Sequence, residues 1–213
     1  MALNNYDELK QSVAEWMHRT DLAAYIPDFI RLAELDLERE NLPLPELDVS
    51  TTLTFTAGKA PKPGDFKAVR ALWYVDSTSG ERSALRTAPV EDVMTMYPYP
   101  NTTTLRPRYY TILGNEFVVV PIPDDGTTMN LDYVKTPTPL GIGNQTNEWL
   151  QVAPDALLFG ALSAARFYGL DDQRSELYRQ RYNDAVARLK ERLRTQMFET
   201  SELRAQPNLV STP

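Results

Sequence analysis

Cysteine is absent from the 213-residue chain, which removes disulfides, thiolate nucleophiles and thiolate metal sites together and fits assembly in a reducing compartment. Histidine is almost absent too. The single His18, in a short helix beside Arg19, reads as a helix-end residue, and no serine lies in the context of a nucleophile elbow. No apolar run reaches the roughly 18 residues of a membrane span, and Met1–Lys10 is polar, so neither a spanning helix nor a signal peptide is expected. Basic residues are in deficit, 22 against 29 acidic ones for a net charge of -7, which argues against a surface that wraps nucleic acid. Nor is there a Gly-rich phosphate cradle: "GIG" at 141–143 lies between Pro-rich coil and a polar stretch and lacks the Lys-Ser/Thr that would follow. Glycine is scarce, nine against sixteen prolines, so connections are expected to be stiff and extended, mostly between residues 43 and 139.

An apolar fraction of 42%, with three Trp, eleven Tyr and seven Phe, is ample for a packed core. Tyr6, Leu9, Val13, Trp16 and Met17 recur at helical steps. "RTDLAAYIPDFI" interrupts them, and Pro27 is placed where a first helical turn accepts proline, with Asp28 beside it. Phe29, Ile30, Ala33 and Leu37 then form a stripe widened by Leu32 and Leu35, and "LPLP" at 42–45 ends the helix. The middle changes period. "TLTFTA" at 52–57 and "MNLDYV" at 129–134 alternate, the latter expected to pair with its neighbour, and "AVRALWYVD" at 68–76 is rich in strand formers. "RYYTILGNEFVVVP" at 108–121 is a hairpin about Gly114-Asn115. "TAPVEDVMTMYP" predicts one short helix, with Thr87 as its cap and Pro89 near its first position.

Helical period returns at Pro154. "PDALLFGALSAARFYG" (154–169) holds only two formal charges, Asp155 and Arg166, and its small residues Gly160, Ala161, Ser163, Ala164 and Ala165 suit a central helix approached closely from more than one side. The last helix places Leu177, Tyr178, Tyr182, Ala185, Val186, Leu189 and Leu193 on one face. The fold class expected is α+β: a four-helix bundle of two N-terminal and two C-terminal helices, an inserted antiparallel β module, and an extended C-terminal tail. Its divisions are an N-terminal helical hairpin (1–45), a β-rich insert (46–150), a C-terminal helical pair (151–198) and an arm (199–213).

Carboxylates offer little chemistry. Asp124-Asp125 and Asp171-Asp172 fall at turns, where Asp favours local backbone hydrogen bonds, and neither pair has the spaced acidic loop of a calcium site. "RPRYY" at 106–110 fits strand entry better than base stacking, because the surrounding block is acidic. Charge is also uneven: residues 1–45 carry four Lys/Arg against nine Asp/Glu, whereas 151–198 carry eight against six. Glu34 and Glu38 on one side, with Arg179, Arg188 and Arg194 on the other, are the candidate contacts between helices or between subunits.

The order "YDELKQSVAEWMHRTDLAAYIPDFIRLAELDLER", "YYTILGNEFVVVPIPDD", "NLDYVKTPTPL" and "PDALLFGALSAARFYGLDDQ" resembles the head–tail adaptor (connector) proteins of tailed bacteriophages, with which the tail tubular adaptors of short-tailed phages are grouped. The likeness covers residues 4–195 and is specific as a set, not motif by motif. It implies a non-enzymatic virion protein with no cofactor or metal, assembled in the host cytoplasm and placed in the neck at the portal vertex. About a dozen copies would form a ring around the DNA exit channel, each using two different lateral faces. The bundle would make the ring wall and the β module would face a tail or nozzle protein. The arm, with Leu203, Arg204, Pro207, Leu209 and Val210, would dock on the portal. An overall acidic chain suits a channel through which double-stranded DNA must slide, since a basic lumen would hold the phosphates. Alternatives are a stopper or other ring protein lower in the neck, a non-virion protein-binding module acting through the β module, and a hydrolase using Asp124 or Asp125.

Overall fold

Helical period at both ends and alternation in the middle translate into two compact units, one formed by Met1–Glu46 with Pro137–Pro213 and the other by Leu47–Thr136. A computed structural model of the chain describes residues 3–76, 80–96, 106–165 and 172–202. The class is α+β, with six α-helices and two sheets among the described residues.

In the first unit, α1 (Tyr6–Met17) starts at Asn5, whose side chain accepts from the Glu8 backbone N–H at 2.9 Å, and ends at His18 with φ 51°. Its buried stripe is Tyr6, Leu9, Val13 and Met17. α2 (Ile26–Arg39) opens with Pro27 in its first turn and buries Ile26, Phe29, Ile30, Ala33, Glu34 and Leu37. Leu32, expected to widen that face, is instead 43% exposed. A short α4 (Glu148–Val152), capped by the Asn147 side chain accepting from Leu150 N–H at 3.0 Å, buries Trp149 and Leu150.

α5 (Pro154–Ala164) is the centre of this unit. Ala156, Leu157, Leu158, Gly160, Ala161, Leu162 and Ser163 are all buried, so no solvated stripe remains and the near-uniform apolarity is accounted for. It packs on α1, α2 and α6 (Asp172–Glu202). At Gly160 a Cβ would lie 2.8 Å from the Cβ of Ala33 and 3.3 Å from the Tyr182 ring, so α2 and α6 both close on the same bare backbone. α6 buries Tyr178, Tyr182, Ala185, Val186, Leu189 and Leu193, while Leu177, expected on that face, is half exposed. Its backbone continues to Glu202, beyond residue 199 where an extended arm was expected to begin.

In the second unit, β1 (Asp48–Phe55), β3 (Phe66–Val75), β4 (Arg82–Ala84) and β8 (Thr127–Lys135) form one sheet in the order β1-β8-β3-β4. β2 (Lys59–Pro61), β5 (Arg86–Thr87), β6 (Tyr109–Leu113) and β7 (Glu116–Val120) form the other in the order β2-β7-β6-β5. β8 was expected to pair with its neighbour in the chain; it lies instead between β1 and β3, with Leu131 opposite both Thr51 and Leu72. Alternation tells which face is buried but leaves the partner open.

The two sheets share one core, in which Phe55, Leu72, Met129, Leu131 and Tyr133 meet Ala60, Phe117 and Val119. Full burial contributes about 1.5–3 kcal/mol for each large apolar side chain. Chain continuity joins the sheets at both ends. β4 passes into β5 through Leu85, and β1 turns into β2 through Ala57 and Gly58, at φ 49° and 73°. Gly114, φ 60°, leads the two-residue turn between β6 and β7, as the hairpin reading requires. α3 (Val90–Met96) follows Pro89 as expected, but Thr87, read as its cap, belongs to β5.

Replacing Gly160 with Ala tests the close approach. Overpacking costs about 1–3 kcal/mol, against a gain in helix propensity of about 1 kcal/mol. Thermal unfolding followed by circular dichroism is expected to shift down by about 2–4 °C.

Candidate interaction surfaces

Polar side chains are used mainly as internal fasteners. Glu34, only 1% exposed, is the most deeply buried charged group among the described residues. One of its oxygens accepts from the Asn147 side-chain amide at 2.7 Å and from the Leu140 backbone N–H at 2.9 Å, and the other from Arg31 at 3.1 Å. A buried carboxylate is tolerated only with such donors. Glu34 thereby ties α2 to the segment that precedes α4. The same segment is held to the start of α1, where the Gln145 carbonyl accepts from Tyr6 N–H at 2.8 Å.

The other candidate contacts are scattered. Glu38 meets Arg31 at 3.3 Å, on the Glu34 side of α2. Arg188 reaches Asp155 of α5 at 3.2 Å, and Lys190 reaches Glu40 beyond the end of α2 at 2.6 Å. Such exposed pairs contribute about 0–1 kcal/mol each. Arg179 lies on the rim of a groove between helices, and Arg194 is exposed on α6. Leu203, Arg204, Pro207, Leu209 and Val210 lie outside the described residues.

Asp125 is a fastener of the same kind. It accepts from the Ala57 N–H at 2.6 Å, bracing a non-glycine residue at positive φ. The Asp124 carbonyl accepts from Thr127 N–H at 3.1 Å. Arg106 is engaged by Asp76 at 2.7 Å and Glu81 at 2.6 Å, and Tyr110 enters the β core, which is the strand-entry role. His18 lies with Glu15, Trp16, Arg174 and Tyr178 around a shallow depression. Among the described residues no three His, Asp or Glu side chains come together as a metal site, and no helix is long and apolar enough to cross a membrane.

Two features suited to binding another macromolecule emerge in the helical unit. One is a tight turn, in which Gly141 and Asn144 exchange backbone hydrogen bonds at 2.9 and 3.1 Å and leave Ile142 90% exposed at the tip. Asn144 braces it from below, its side chain donating to the carbonyls of Thr138 and Pro139 at 3.2 and 3.0 Å. The other is a groove of about 590 Å³ between α2, α5 and α6, walled by Leu32, Asp36 and Arg39 and floored by Gly160, Ser163 and Ala164. Tyr182 lines it. Among the described residues its buried hydroxyl meets no hydrogen-bond partner, and burial, with Asp36 and Glu40 nearby and Arg179 opposing, pushes its pKa up to about 12. "GIG" lacks the residues of a phosphate cradle; the signal it does carry is an apolar residue flanked by glycines in an otherwise glycine-poor chain.

Glu34→Ala removes the acceptor for Leu140 N–H and Asn147, and urea unfolding is expected to show a loss of about 2–3 kcal/mol. Glu34→Gln keeps an acceptor oxygen and is expected to lose about half as much. Tyr182 gives a pH signature. Its folded pKa of about 12 stands above the ordinary 10.0, so its contribution is complete below pH 10 and is lost as pH rises toward 12. The decline in unfolding free energy across that window is expected to be shallower in Tyr182→Phe than in the wild type.

No curated protein matches the chain. A family model described as SU10 adaptor protein matches residues 4–206, almost the whole length. The chain therefore belongs to the SU10 adaptor protein family, a family of phage head–tail adaptors.

Proposed function

We propose that this adaptor is a structural ring protein of the virion neck, bridging the portal and the tail and surrounding the channel through which DNA leaves. The observation that carries the reading is the family match over residues 4–206. About twelve copies, each joined to the next by unlike faces, would close the ring. In this reading α1, α2, α5 and α6 act as a four-helix wall, and the β unit faces the next tail component.

The distribution of charge supports the arrangement. α1 and α2 are acidic and α6 is basic between Arg174 and Arg194, with seven Lys/Arg against three Asp/Glu. The net charge of -7 is compatible with DNA that passes without being held. We assign portal docking to the segment 203–213, with Leu203, Leu209 and Val210 as anchors and Arg204 and Pro207 between them.

Purified protein mixed with portal particles is expected to form a discrete higher-mass complex by native mass measurement. Failure both to self-associate and to bind portal overturns the ring reading. Truncation after Glu202 is expected to weaken portal binding at least about tenfold while leaving helical circular dichroism unchanged. Unaltered binding by the truncated chain removes the arm assignment alone.

A further inference from the structure

We propose that the open edge of β1 receives an extended segment of the next tail component, which adds to the β1-β8-β3-β4 sheet as a fifth strand. The proposal rests on the reading of the β unit as the part that faces the tail, and it names the chemistry of that contact.

The direction of the β1 backbone defines the edge. β1 pairs with β8 through eight consecutive residues, Asp48 to Phe55, without a break in register. The Phe55 carbonyl accepts from Gly126 N–H at 2.9 Å, on the β8 side, whereas Thr56 exchanges backbone hydrogen bonds with Lys59 at 2.9 and 3.0 Å on the opposite side. Backbone groups alternate between the two sides of a strand. Val49, Thr51 and Leu53 therefore direct theirs to β8, and Asp48, Ser50, Thr52 and Thr54 direct theirs outward. Among the described residues the Thr56–Lys59 bridge is the last pairing on the outer side, and the outward N–H and C=O groups of these four residues meet no backbone partner. All four residues are exposed.

Strand edges are normally blunted by shortness, proline, lysine or a bulge. The other three sheet edges follow that rule. β2 spans three residues and contains Lys59 and Pro61, β4 spans three and begins with Arg82, and β5 spans two. β1 spans eight and has no proline, no lysine and no bulge. Its one charge, Asp48, is engaged by Arg70 at 3.0 Å. Val49, Thr51, Thr52 and Thr54 are β-branched, which suits a strand that stays extended. An edge of this kind is a template for another backbone.

The occupant is a strand of a different protein. Among the described residues no second edge matches β1 in length, so strand pairing in a head-to-tail contact between copies has nothing to offer it. Pairing of β1 with β1 of another copy is two-fold, and it closes a dimer instead of a ring. The incoming side chains would lie beside Ser50, Thr52 and Thr54 on one face and beside the half-buried Val49 and Thr51 on the other. The first face is already ordered, with Asp132 accepting from Ser50 and from the Trp73 indole, and Asn130 accepting from Thr52. The segment that fits is an uncharged, proline-free stretch of about six residues, alternating hydroxyl or amide side chains with small or branched apolar ones.

Amide hydrogen exchange reads the edge directly. In adaptor assembled on portal particles, the amides of Ser50, Thr52 and Thr54 are expected to exchange quickly, and those of Thr51 and Leu53 slowly. Addition of the purified tail or nozzle protein of the same phage is expected to slow the three outward amides at least about tenfold. Unchanged exchange in the tail-bound complex overturns the proposal, as does failure of that protein to bind. Protection present before it is added gives the edge to another copy or to the portal, and overturns the proposal too. Thr52→Pro deletes one outward donor and leaves every bond to β8 in place. It is expected to weaken tail binding at least about tenfold while portal binding is retained. Equal tail binding by the folded variant overturns the proposal. Portal binding that persists while the β1 edge stays open removes this contact and leaves the ring standing; a chain that neither self-associates nor binds portal removes both.

Discussion

The helical unit depends on one close approach. α5 meets α2 and α6 at the same residue, and it does so because residue 160 has no side chain. With any Cβ there, Ala33 or the Tyr182 ring would have to move. The approach sets where Tyr182 lies against α5, and therefore where Leu32, Asp36 and Arg39 stand relative to Arg179 across the groove. It also explains why α5 is apolar nearly all round: with α1, α2 and α6 as neighbours, it buries almost every turn. The resulting groove is a by-product of small residues packed for proximity and not of a pocket shaped for a small molecule. That suits a protein whose family acts through assembly.

The two units are fastened by different physics. The β unit closes on a shared apolar core, with Phe66 edge-on to Phe117 and stacked with Tyr133. Its polar contacts are local braces, such as Asp132 of β8 accepting from Ser50 and from the Trp73 indole on the two flanking strands and Asp125 holding Ala57 at positive φ. In the helical unit an irregular stretch of chain is held by a charged hydrogen-bonding hub. Glu34 satisfies a backbone N–H that no helix or strand would satisfy, and Asn147 serves at once as its partner and as the cap of α4. Hydrogen bonds to a charged group are stronger than neutral ones, so a single residue gives a non-repetitive segment a defined path.

Long, strongly periodic elements were legible in the sequence. α1, α2, α5, α6 and the β6–β7 hairpin follow from spacing, capping residues and a two-residue turn. What was not legible has physical causes. α4 spans five residues, too few to show a period, and β2, β4 and β5 span two or three. β8 alternates clearly, but alternation is silent on which strand lies beside it. Leu32 and Leu177 extend apolar stripes on a helical wheel, and only the positions of neighbouring helices decide that both are exposed. Glu34 reads, with Glu38, as a contact to another helix or subunit, and nothing local announces that residues more than a hundred positions away deliver its donors. The turn at Gly141–Asn144 follows Leu140, whose backbone N–H is held by the same Glu34, so its path too is set by a residue remote in sequence.

Two of the three partners of Glu34 come from 106 and 113 positions further along the chain, and the intervening β unit is contiguous. A ribosome delivers these parts in order. α1 and α2 emerge with their apolar stripes uncovered, the whole β unit follows and has every strand it needs, and only then do α5 and α6 arrive to cover the first helices. Biogenesis therefore leaves an acidic helical pair waiting while a finished β unit grows behind it. Its first 45 residues carry nine carboxylates against four bases, and net charge of one sign disfavours association through apolar stripes that are still uncovered.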